Sequence, residues 1–242
     1  FSILIGYIAY DKSDGVSGLR ENIGLEIKAR SNPKLRTILN NKNQYPDAMI
    51  QSLYCNEELI DFVYNYPSKK GHVYTNTIGP VTKGRYPLLL QYDQRWGYGK
   101  YGYNVIGMNG CGPTSAAMII AGLTGRNNIT PFDVASYAYS HGYYQDGTSW
   151  AFFTEGMKHY GIYGRNIPLS YSSMKNEIVN GRPLICSMKP GDFTTTGHLI
   201  VIRGMKQGMF IVNDPNSIKR SNRLWSYDTL SKQIRNMWSF SR

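Results

Sequence analysis

One cysteine stands where a thiol could act as a nucleophile. Cys111 lies in the stretch GMNGCGPTSAAMII, where Pro113 suits a first helical turn and aliphatic residues follow at helical spacing. Unpaired N–H groups at a helix N-terminus favour negative charge, which suits a thiolate. Gly110 and Gly112 are expected to leave room for a substrate backbone. A free cysteine is also common as a small buried hydrophobe, and this stretch alone does not separate the two interpretations.

A thiol nucleophile needs a base, and the chain contains four histidines. His198 opens GHLIVIRG, a predicted β-strand, and an imidazole at the edge of a strand can face an adjacent cleft while being held rigidly. His72 and His141 lie in glycine-flanked loops and are expected to be solvated, and His159 lies near a helix end, where a cation is favourable. His198 is therefore the candidate base, with an ordinary strand-end histidine as the alternative.

A carboxylate that orients the imidazole would complete such a site. Asp214 ends the segment GMFIVNDP, which is a second predicted strand. If HLIVIRGM and GMFIVNDP form an antiparallel hairpin, the start of the first strand lies beside the end of the second, and His198 meets Asp214. The NDP sequence is also an ordinary turn signal.

Attack of a thiolate on a carbonyl carbon also needs donors for the oxyanion. The backbone N–H of Cys111 is one candidate, and the side chain of Gln91, in QYDQRW, is another. Gln94 is the rival of Gln91, and both glutamines could simply be solvated loop residues.

A loop rich in tyrosine and glycine, GYGKYGYNVIGMNG, precedes the cysteine. Long irregular loops inside compact domains are often functional. The part of this loop from Tyr98 to Tyr103 is therefore predicted to line the cleft beside the cysteine. The candidate substrate-binding side chains are Tyr101, Tyr103 and Trp150.

The sequence pattern predicts that helices come first along the chain and strands follow. This order is typical of an α+β fold, whose elements must position the candidate site residues. A helical hairpin is predicted in YPDAMIQSLYCNEELIDFVYNYP, with Asn56 as a cap and with Pro67 and Gly71 ending it. Further helices are predicted from the capping box Thr130–Asp133, from Thr148 or Ser149, from Ser172 or Ser173, and over 227–235. PLICSM, HLIVIRGM and GMFIVNDP are predicted to be successive antiparallel strands.

Composition limits the classes of function. The 242 residues are 41% hydrophobic, which is ample for a packed core, and the net charge of +11 favours an anionic partner such as a cell wall or a membrane surface. The basic residues are dispersed and no nucleic-acid-binding motif occurs, so nucleic acid is not expected to be a partner.

The cysteine count excludes two further classes. Three cysteines without a C-x-x-C motif predict neither a disulfide framework nor a zinc site, and no metal or other cofactor is expected. Cys55 and Cys186 are expected to be buried and inert. The first ten residues, FSILIGYIAY, are too few to span a bilayer and are interpreted as the remnant of an export signal or anchor, or as a buried strand.

Taken together, these motifs resemble a known family. The Q-x-D of Gln91 and Asp93, then GCGPTSAAM, GHLIVIRG and FIVNDP, resemble the papain-like cysteine peptidases of the C-39-like family over residues 85–242. That family includes the double-glycine leader peptidases of bacteriocin exporters and free-standing relatives in Gram-positive bacteria. The resemblance implies a papain-like fold in which a central helix carrying the nucleophile packs on an antiparallel sheet.

The same resemblance implies a role for each site residue. It places the nucleophile at Cys111, the base at His198, the orienting acid at Asp214 and the oxyanion glutamine at Gln91. In the exporter-linked members that glutamine lies only a few residues before the cysteine, whereas residues 92–110 intervene here. The 242 residues contain no transporter or ATPase segment, so the resemblance does not imply specificity for double-glycine leader peptides.

The resulting hypothesis is a monomeric, secreted or cell-surface bacterial cysteine peptidase that acts on peptides or cell-wall peptides. Residues 1–80 are interpreted as an N-terminal extension containing the helical hairpin, and residues 81–242 as the peptidase domain. One alternative keeps the machinery in a peptidoglycan endopeptidase, an amidase or an acyltransferase. Another is a catalytically silent surface-binding module.

Overall fold

The computed structural model describes residues 23–242, in which helices are followed by a six-stranded antiparallel sheet. The helices are α1 (Pro33–Asn40), α2 (Asp47–Cys55), α3 (Ile60–Lys69), α4 (Ile106–Asn109), α5 (Cys111–Thr124), α6 (Pro131–Ser140), α7 (Ala151–Thr154), α8 (Tyr171–Val179), α9 (Ile218–Ser221) and α10 (Tyr227–Ser231). The strands are β1 (Lys100–Tyr101), β2 (Asn104–Val105), β3 (Tyr163–Asn166), β4 (Leu184–Met188), β5 (His198–Lys206), β6 (Met209–Asn213), β7 (Leu224–Trp225) and β8 (Ile234–Ser241). Short 3-10 helices cover Lys42–Gln44, Glu57–Leu59 and Gly156–Tyr160. This order confirms the predicted α+β class.

One sequence-based prediction concerns the first ten residues of the chain. The export-signal remnant predicted at residues 1–10 lies outside the described residues. Within residues 23–242, no helix combines the length and the apolar character that crossing a membrane requires.

Residues 23–80, which we call the extension, contain the predicted helical hairpin, formed by α2 and α3, preceded by helical residues at 23–29 and by α1. The Asn56 side chain accepts a hydrogen bond from the backbone N–H of Glu58 and caps the 3-10 helix Glu57–Leu59, which leads into α3. Of the two residues predicted to end the hairpin, α3 continues past Pro67 to Lys69 and stops just before Gly71, whose φ is 82°. Pro67 falls in the last turn of α3, where its ring is exposed and little helix remains to be disrupted.

Apolar residues of the extension share one core with the chain that follows. Phe62 of α3 stacks on Tyr98, with 4.5 Å between ring centroids, and the Tyr98 hydroxyl donates a hydrogen bond to the Phe62 carbonyl at 2.9 Å. Tyr92 and Val105 belong to the same buried cluster as the apolar faces of α1 to α3. The extension is therefore fixed against the tyrosine- and glycine-rich loop.

Helix α5 lies in the middle of the protein. It is buried on nearly every side, packs against β5 and α6, and is accordingly apolar all round instead of carrying a single stripe. Gly125 ends it in the left-handed conformation, with φ of 77°, as its position after the last apolar residue predicts. This burial holds the N-terminus of α5 in one place relative to the sheet.

The sheet has the strand order β3-β8-β4-β5-β6-β7 and is covered on both faces. Leu199 and Val201 of β5 face the cluster around α5, whereas Ile200 and Ile202 face the cluster that contains residues of α8. The three strands predicted from the sequence are present and antiparallel. Their continuous apolar character follows from burial on both faces.

Some element predictions need correction. The helix predicted over 227–235 ends at Ser231, and the chain continues as β8, which lies between β3 and β4. Helix α8 is capped by Ser170, whose side chain accepts from the Ser173 N–H, so neither Ser172 nor Ser173 is its cap. The capping box of Thr130 and Asp133 is present as predicted.

Two of the cysteines lie away from the start of α5. Cys186, on β4, is fully buried as predicted, and burial raises the pKa of its thiol. The prediction that Cys55 is buried is wrong: it is the last residue of α2 and is exposed.

Candidate active site

Cys111 is the first residue of α5, so its sulfur lies at the end of a buried helix where backbone N–H groups are without intrahelical acceptors. The residue is 6% exposed. That small exposure is into a cavity of about 110 Å³, whose walls also include Gln91, Asn109 and His198. A thiol at the base of a narrow cavity is reachable only by a group that enters it.

His198 and Asp214 meet at one edge of the β5–β6 hairpin, as the sequence predicts. His198 is the first residue of β5 and Asp214 follows the last residue of β6. The register pairs Val201 with Asn213, so the chain leaving β6 runs toward the start of β5. The His198 Nε2–H donates a hydrogen bond to Asp214 Oδ1 at 2.7 Å, and both side chains are buried.

The same imidazole interacts with the thiol. Burial lowers the pKa of His198, but the charge of Asp214, the hydrogen bond to it and a hydrogen bond with Cys111 outweigh burial and raise that pKa to about 9. Because Nε2 is engaged by Asp214, Nδ1 is the ring nitrogen left for Cys111. The imidazole is thus held protonated at neutral pH, between a sulfur and a carboxylate.

Asp214 is kept ionised although it is completely buried. Burial raises the pKa of this carboxyl, but His198 and Arg220 outweigh burial and lower it below its ordinary value. Arg220 Nε donates to Oδ2 at 2.5 Å, and the Asn216 N–H donates to Oδ1 at 2.7 Å. Sequence reasoning did not find Arg220, because a basic residue a few positions after a predicted strand carries no local signal for this contact; the structure places it in α9.

The two candidate glutamines lie in different surroundings. Gln91 is buried, lines the cavity with Cys111, and donates from Nε2 to the Gly107 carbonyl at 3.0 Å. Its backbone N–H donates to the Pro215 carbonyl at 2.7 Å, which ties it to the segment after Asp214. Gln94 does not line the cavity, and its Oε1 accepts from Lys69 Nζ at 2.8 Å. Only Gln91 is therefore close to the thiol.

The glycines beside Cys111 are required for packing within the protein. A Cβ on Gly112 would lie 2.1 Å from Thr148 Oγ1, and one on Gly110 would lie 2.5 Å from the Ile106 side chain. Neither glycine lines the cavity. Close contact with neighbouring residues is therefore enough to require glycine at both positions, and their role in leaving room for substrate stays a prediction.

The three aromatic residues predicted to bind substrate are not among the residues that line this cavity. Tyr101 is buried, and its hydroxyl is 2.7 Å from Thr148 Oγ1. Trp150 packs edge-on against Trp238. Tyr103 is 86% exposed and lies outside the cavity at Cys111. Contact with the cavity comes instead from the later part of the same loop, at Gly107, Met108 and Asn109.

Residues of the extension complete the cavity. Ala48 and Ser52 of α2 and Leu59 of the following 3-10 helix line it opposite the sheet. Sequence reasoning did not assign them to the site, because small and aliphatic residues on a helix are typical of packing.

The extension is also tied to the segment that carries Arg220. Glu58 accepts hydrogen bonds from Ser217 Oγ at 2.6 Å, from the N–H groups of Ile218 at 2.7 Å and Lys219 at 3.2 Å, and from the Tyr92 hydroxyl at 2.8 Å. Burial raises the pKa of Glu58, but these hydrogen bonds outweigh burial and lower it. Glu58 therefore holds the first turn of α9 in place directly behind Asp214.

No metal-binding cluster of His, Cys, Asp and Glu residues is found in the part of the chain that the structure describes.

Comparison with known proteins identifies the class. A model of the Peptidase_C39 like family matches residues 83–241, more than half of the chain. The chain belongs to this family and is a cysteine-type peptidase, as the motifs around Cys111, His198 and Asp214 suggest. No curated protein matches.

Two solved structures are similar to this chain at low sequence identity. The peptidase domain of Streptococcus ComA, a bi-functional ABC transporter involved in a quorum sensing pathway, is 20% identical, with a TM-score of 0.42 over 64% of this chain and 96% of that one. A Bacillus anthracis protein described as a C39-like peptidase is 14% identical, with a TM-score of 0.37 over 68% and 98%. The family assignment rests on the family model and not on these two structures.

Proposed function

We propose that this chain hydrolyses peptide bonds with Cys111 as nucleophile, His198 as acid and base, Asp214 as the residue that orients His198, and Gln91 as an oxyanion donor. One observation carries the proposal. A single buried imidazole is bound to Asp214 at 2.7 Å through Nε2 and lines the same cavity as the Cys111 thiol, which helps to raise the pKa of that imidazole. This arrangement supports a working catalytic centre over a silent binding module, because it places a base beside a thiol and a carboxylate that orients that base, as thiol catalysis requires.

The first half of the reaction forms an acyl-enzyme. The Cys111 sulfur attacks the carbonyl carbon of the scissile amide, and a C–S bond forms as the carbonyl oxygen takes the negative charge. The imidazolium of His198 then gives its proton to the amide nitrogen, and the C–N bond breaks. An amine leaves, and a thioester remains on Cys111.

The second half regenerates the enzyme. Water enters the position that the amine has left, and neutral His198 takes a proton from it while the water oxygen attacks the thioester carbon. The C–S bond breaks, the carboxylic acid leaves, and the proton returns the pair to its starting state. Asp214 stays ionised throughout and keeps the Nε2–H of His198 in place.

The oxyanion of each tetrahedral intermediate needs nearby donors. Gln91 Nε2 carries two hydrogens, of which one is directed to the Gly107 carbonyl, leaving the other for the oxyanion. The backbone N–H of Cys111, as the first residue of α5, is the second donor.

Hydrolysis of a diverse peptide library, followed by mass spectrometry, tests this function. The wild-type protein is expected to generate new termini, and both Cys111→Ala and His198→Ala are expected to abolish them. Cys186→Ala, which changes a buried thiol on β4 outside the site, is the matched control and is expected to retain cleavage. Cleavage that persists in Cys111→Ala refutes the mechanism.

The net charge of +11 supports cell-wall peptides as a second substrate class and an exported, cell-surface location for the protein. Incubation with purified peptidoglycan separates this class from soluble peptides. Release of muropeptide fragments that depends on Cys111 supports a wall hydrolase, and no release counts against it. Recovery of the native protein from the wall or medium fraction of its source cells tests the location.

A further inference from the structure

A second cavity adjoins the cavity at Cys111. We call it the extension cavity, and it measures about 600 Å³. One side is formed by residues of the extension between Pro46 and Gly71, and the other by residues of the tyrosine- and glycine-rich loop between Tyr98 and Val105. Ala48 and Asn104 belong to the walls of both cavities, so the two are neighbours. A peptide whose scissile bond lies at Cys111 could therefore continue into the extension cavity.

The extension supplies half of this second cavity. Residues 46–71 lie outside residues 83–241, which the family model matches. The Tyr98 ring, one wall of the extension cavity, is stacked on Phe62 of α3. The residues that shape the extension cavity therefore lie partly outside the region that the family model matches. Membership of the family accordingly does not determine what the extension cavity binds.

The charged side chains of the extension cavity are Lys70, Lys100 and Asp47. Among the ion pairs found in residues 23–242, none involves Lys70 or Lys100. Asp47 lies in the first turn of α2, where the helix N-terminus stabilises its charge without a lysine partner. The extension cavity thus offers two ammonium groups to an incoming ligand.

A tyrosine flanks the ammonium group of Lys70. Lys70 Nζ lies 5.8 Å from the centroid of the Tyr66 ring, and Tyr66 and Tyr98 are buried. Tyr103, 86% exposed, stands at the rim. Aromatic walls can bury the aliphatic part of a side chain, and lysines beside them can bind its anionic end.

We propose that the extension cavity is a specificity subsite that binds a carboxylate of the peptide substrate. The ligand is an Asp or Glu side chain, or the terminal carboxylate, within a few residues of the scissile bond. This inference rests on the proposed peptidase function, because it assigns a subsite to the same cleft.

Cleavage-site profiling on the peptide library gives the first test. Asp or Glu is expected to be enriched at one position on one side of the cleaved bond. Four versions of the best peptide then separate the two carboxylate sources: Glu or Gln at that position, each with a free or an amidated C-terminus. A side-chain ligand is expected to make the Glu peptide several-fold better whatever the terminus, and a terminal ligand to make the free acid better whatever the side chain.

Charge reversal gives the second test. In the double variant Lys70→Glu/Lys100→Glu, kcat/KM for the preferred acidic peptide is expected to fall about tenfold, since two partly exposed charge contacts become repulsive. The matched neutral peptide is expected to change less than twofold. Lys206→Glu, which reverses an exposed lysine at the far end of β5, is the control and is expected to leave both rates unchanged.

The outcomes distinguish the subsite from the peptidase function. Cleavage that needs Cys111 but shows no preference for a carboxylate overturns the subsite alone. So does an equal loss on the acidic and neutral peptides, or an equal loss in Lys206→Glu. Peptide cleavage that survives Cys111→Ala overturns the proposed function.

Discussion

Replacing Arg220 with methionine removes a charged group from Asp214 while keeping a side chain of similar length. Asp214 is completely buried, and its carboxylate has hydrogen-bonding partners in His198 Nε2, the Asn216 N–H and Arg220 Nε. Arg220 is about one fifth exposed, so part of its interaction with Asp214 is screened by solvent.

The expected cost follows from these contacts. Breaking a fully buried ion pair costs about 3–5 kcal/mol, and a hydrogen bond to a charged group contributes about 1.5–3 kcal/mol. Since two partners of Asp214 remain, we expect Arg220→Met to lower the free energy of unfolding by about 2–3 kcal/mol. For a chain of this length, that corresponds to a fall in Tm of roughly 4–12 °C.

The effect of pH on Arg220→Met has a defined sign. Arg220 helps to lower the pKa of Asp214, and a lowered carboxyl pKa contributes stability above the unfolded pKa that is lost as pH falls through the folded one. Without Arg220 the folded pKa rises, so acid unfolding is expected to begin at a higher pH.

Urea unfolding at neutral pH and an acid titration followed by circular dichroism measure both effects. Lys219→Met is the matched control, because it removes one exposed positive charge from the adjacent residue and leaves the backbone N–H that binds Glu58. If Arg220→Met has the same unfolding free energy and acid midpoint as Lys219→Met, the account of Asp214 is refuted.

Three further predictions follow from the site. Gln91→Ala is expected to lower kcat about 10²–10³-fold in steady-state kinetics, because it removes an oxyanion donor. Gln94→Ala is the control and is expected to stay near wild type, because the Gln94 side chain is bound by Lys69 outside the cavity. Equal effects of the two substitutions would contradict the role of Gln91. Glu58→Gln is expected to lower the free energy of unfolding, measured in urea, by about 1–2 kcal/mol, because an amide replaces a carboxylate that accepts from four donors. Glu57→Gln, at an exposed neighbouring residue, is the control and is expected to lower it less. A larger loss of stability in Glu57→Gln than in Glu58→Gln would exclude the role of Glu58. The raised pKa of His198 contributes stability that is complete below its ordinary value of 6.5 and lost as pH rises through about 9. Tm is therefore expected to fall over that interval in the wild type and to fall less in His198→Gln, and parallel pH profiles would count against the pairing with Asp214.

The hairpin and the helix of the site could be predicted because their signals are local. β-branched runs bounded by glycine and by NDP define β5 and β6, and an antiparallel turn between them leaves His198 and Asp214 together at one edge. The cysteine, the proline two residues later and the aliphatic run identify the start of α5. These features depend on neighbouring residues alone.

The rest of the site depends on contacts between distant parts of the chain. Ala48, Ser52 and Leu59 resemble ordinary packing residues until α2 is placed over the cavity. Glu58 is typical of a first helical turn, and nothing in the sequence connects it to Ser217. Strand β8 was missed because its residues follow directly on a short helix, and only the sheet gives that strand its place between β3 and β4.

The central claim is that His198 activates the Cys111 sulfur, and competition between two thiols tests it most directly. Cys55 is exposed and Cys111 is 6% exposed, so accessibility alone favours alkylation of Cys55. Mass spectrometry of the native protein during limited iodoacetamide treatment at neutral pH measures both rates. The account predicts that Cys111 reacts faster than Cys55 and that His198→Ala reverses this order. Faster labelling of Cys55 in the wild type, with no change at Cys111 in His198→Ala, would contradict it.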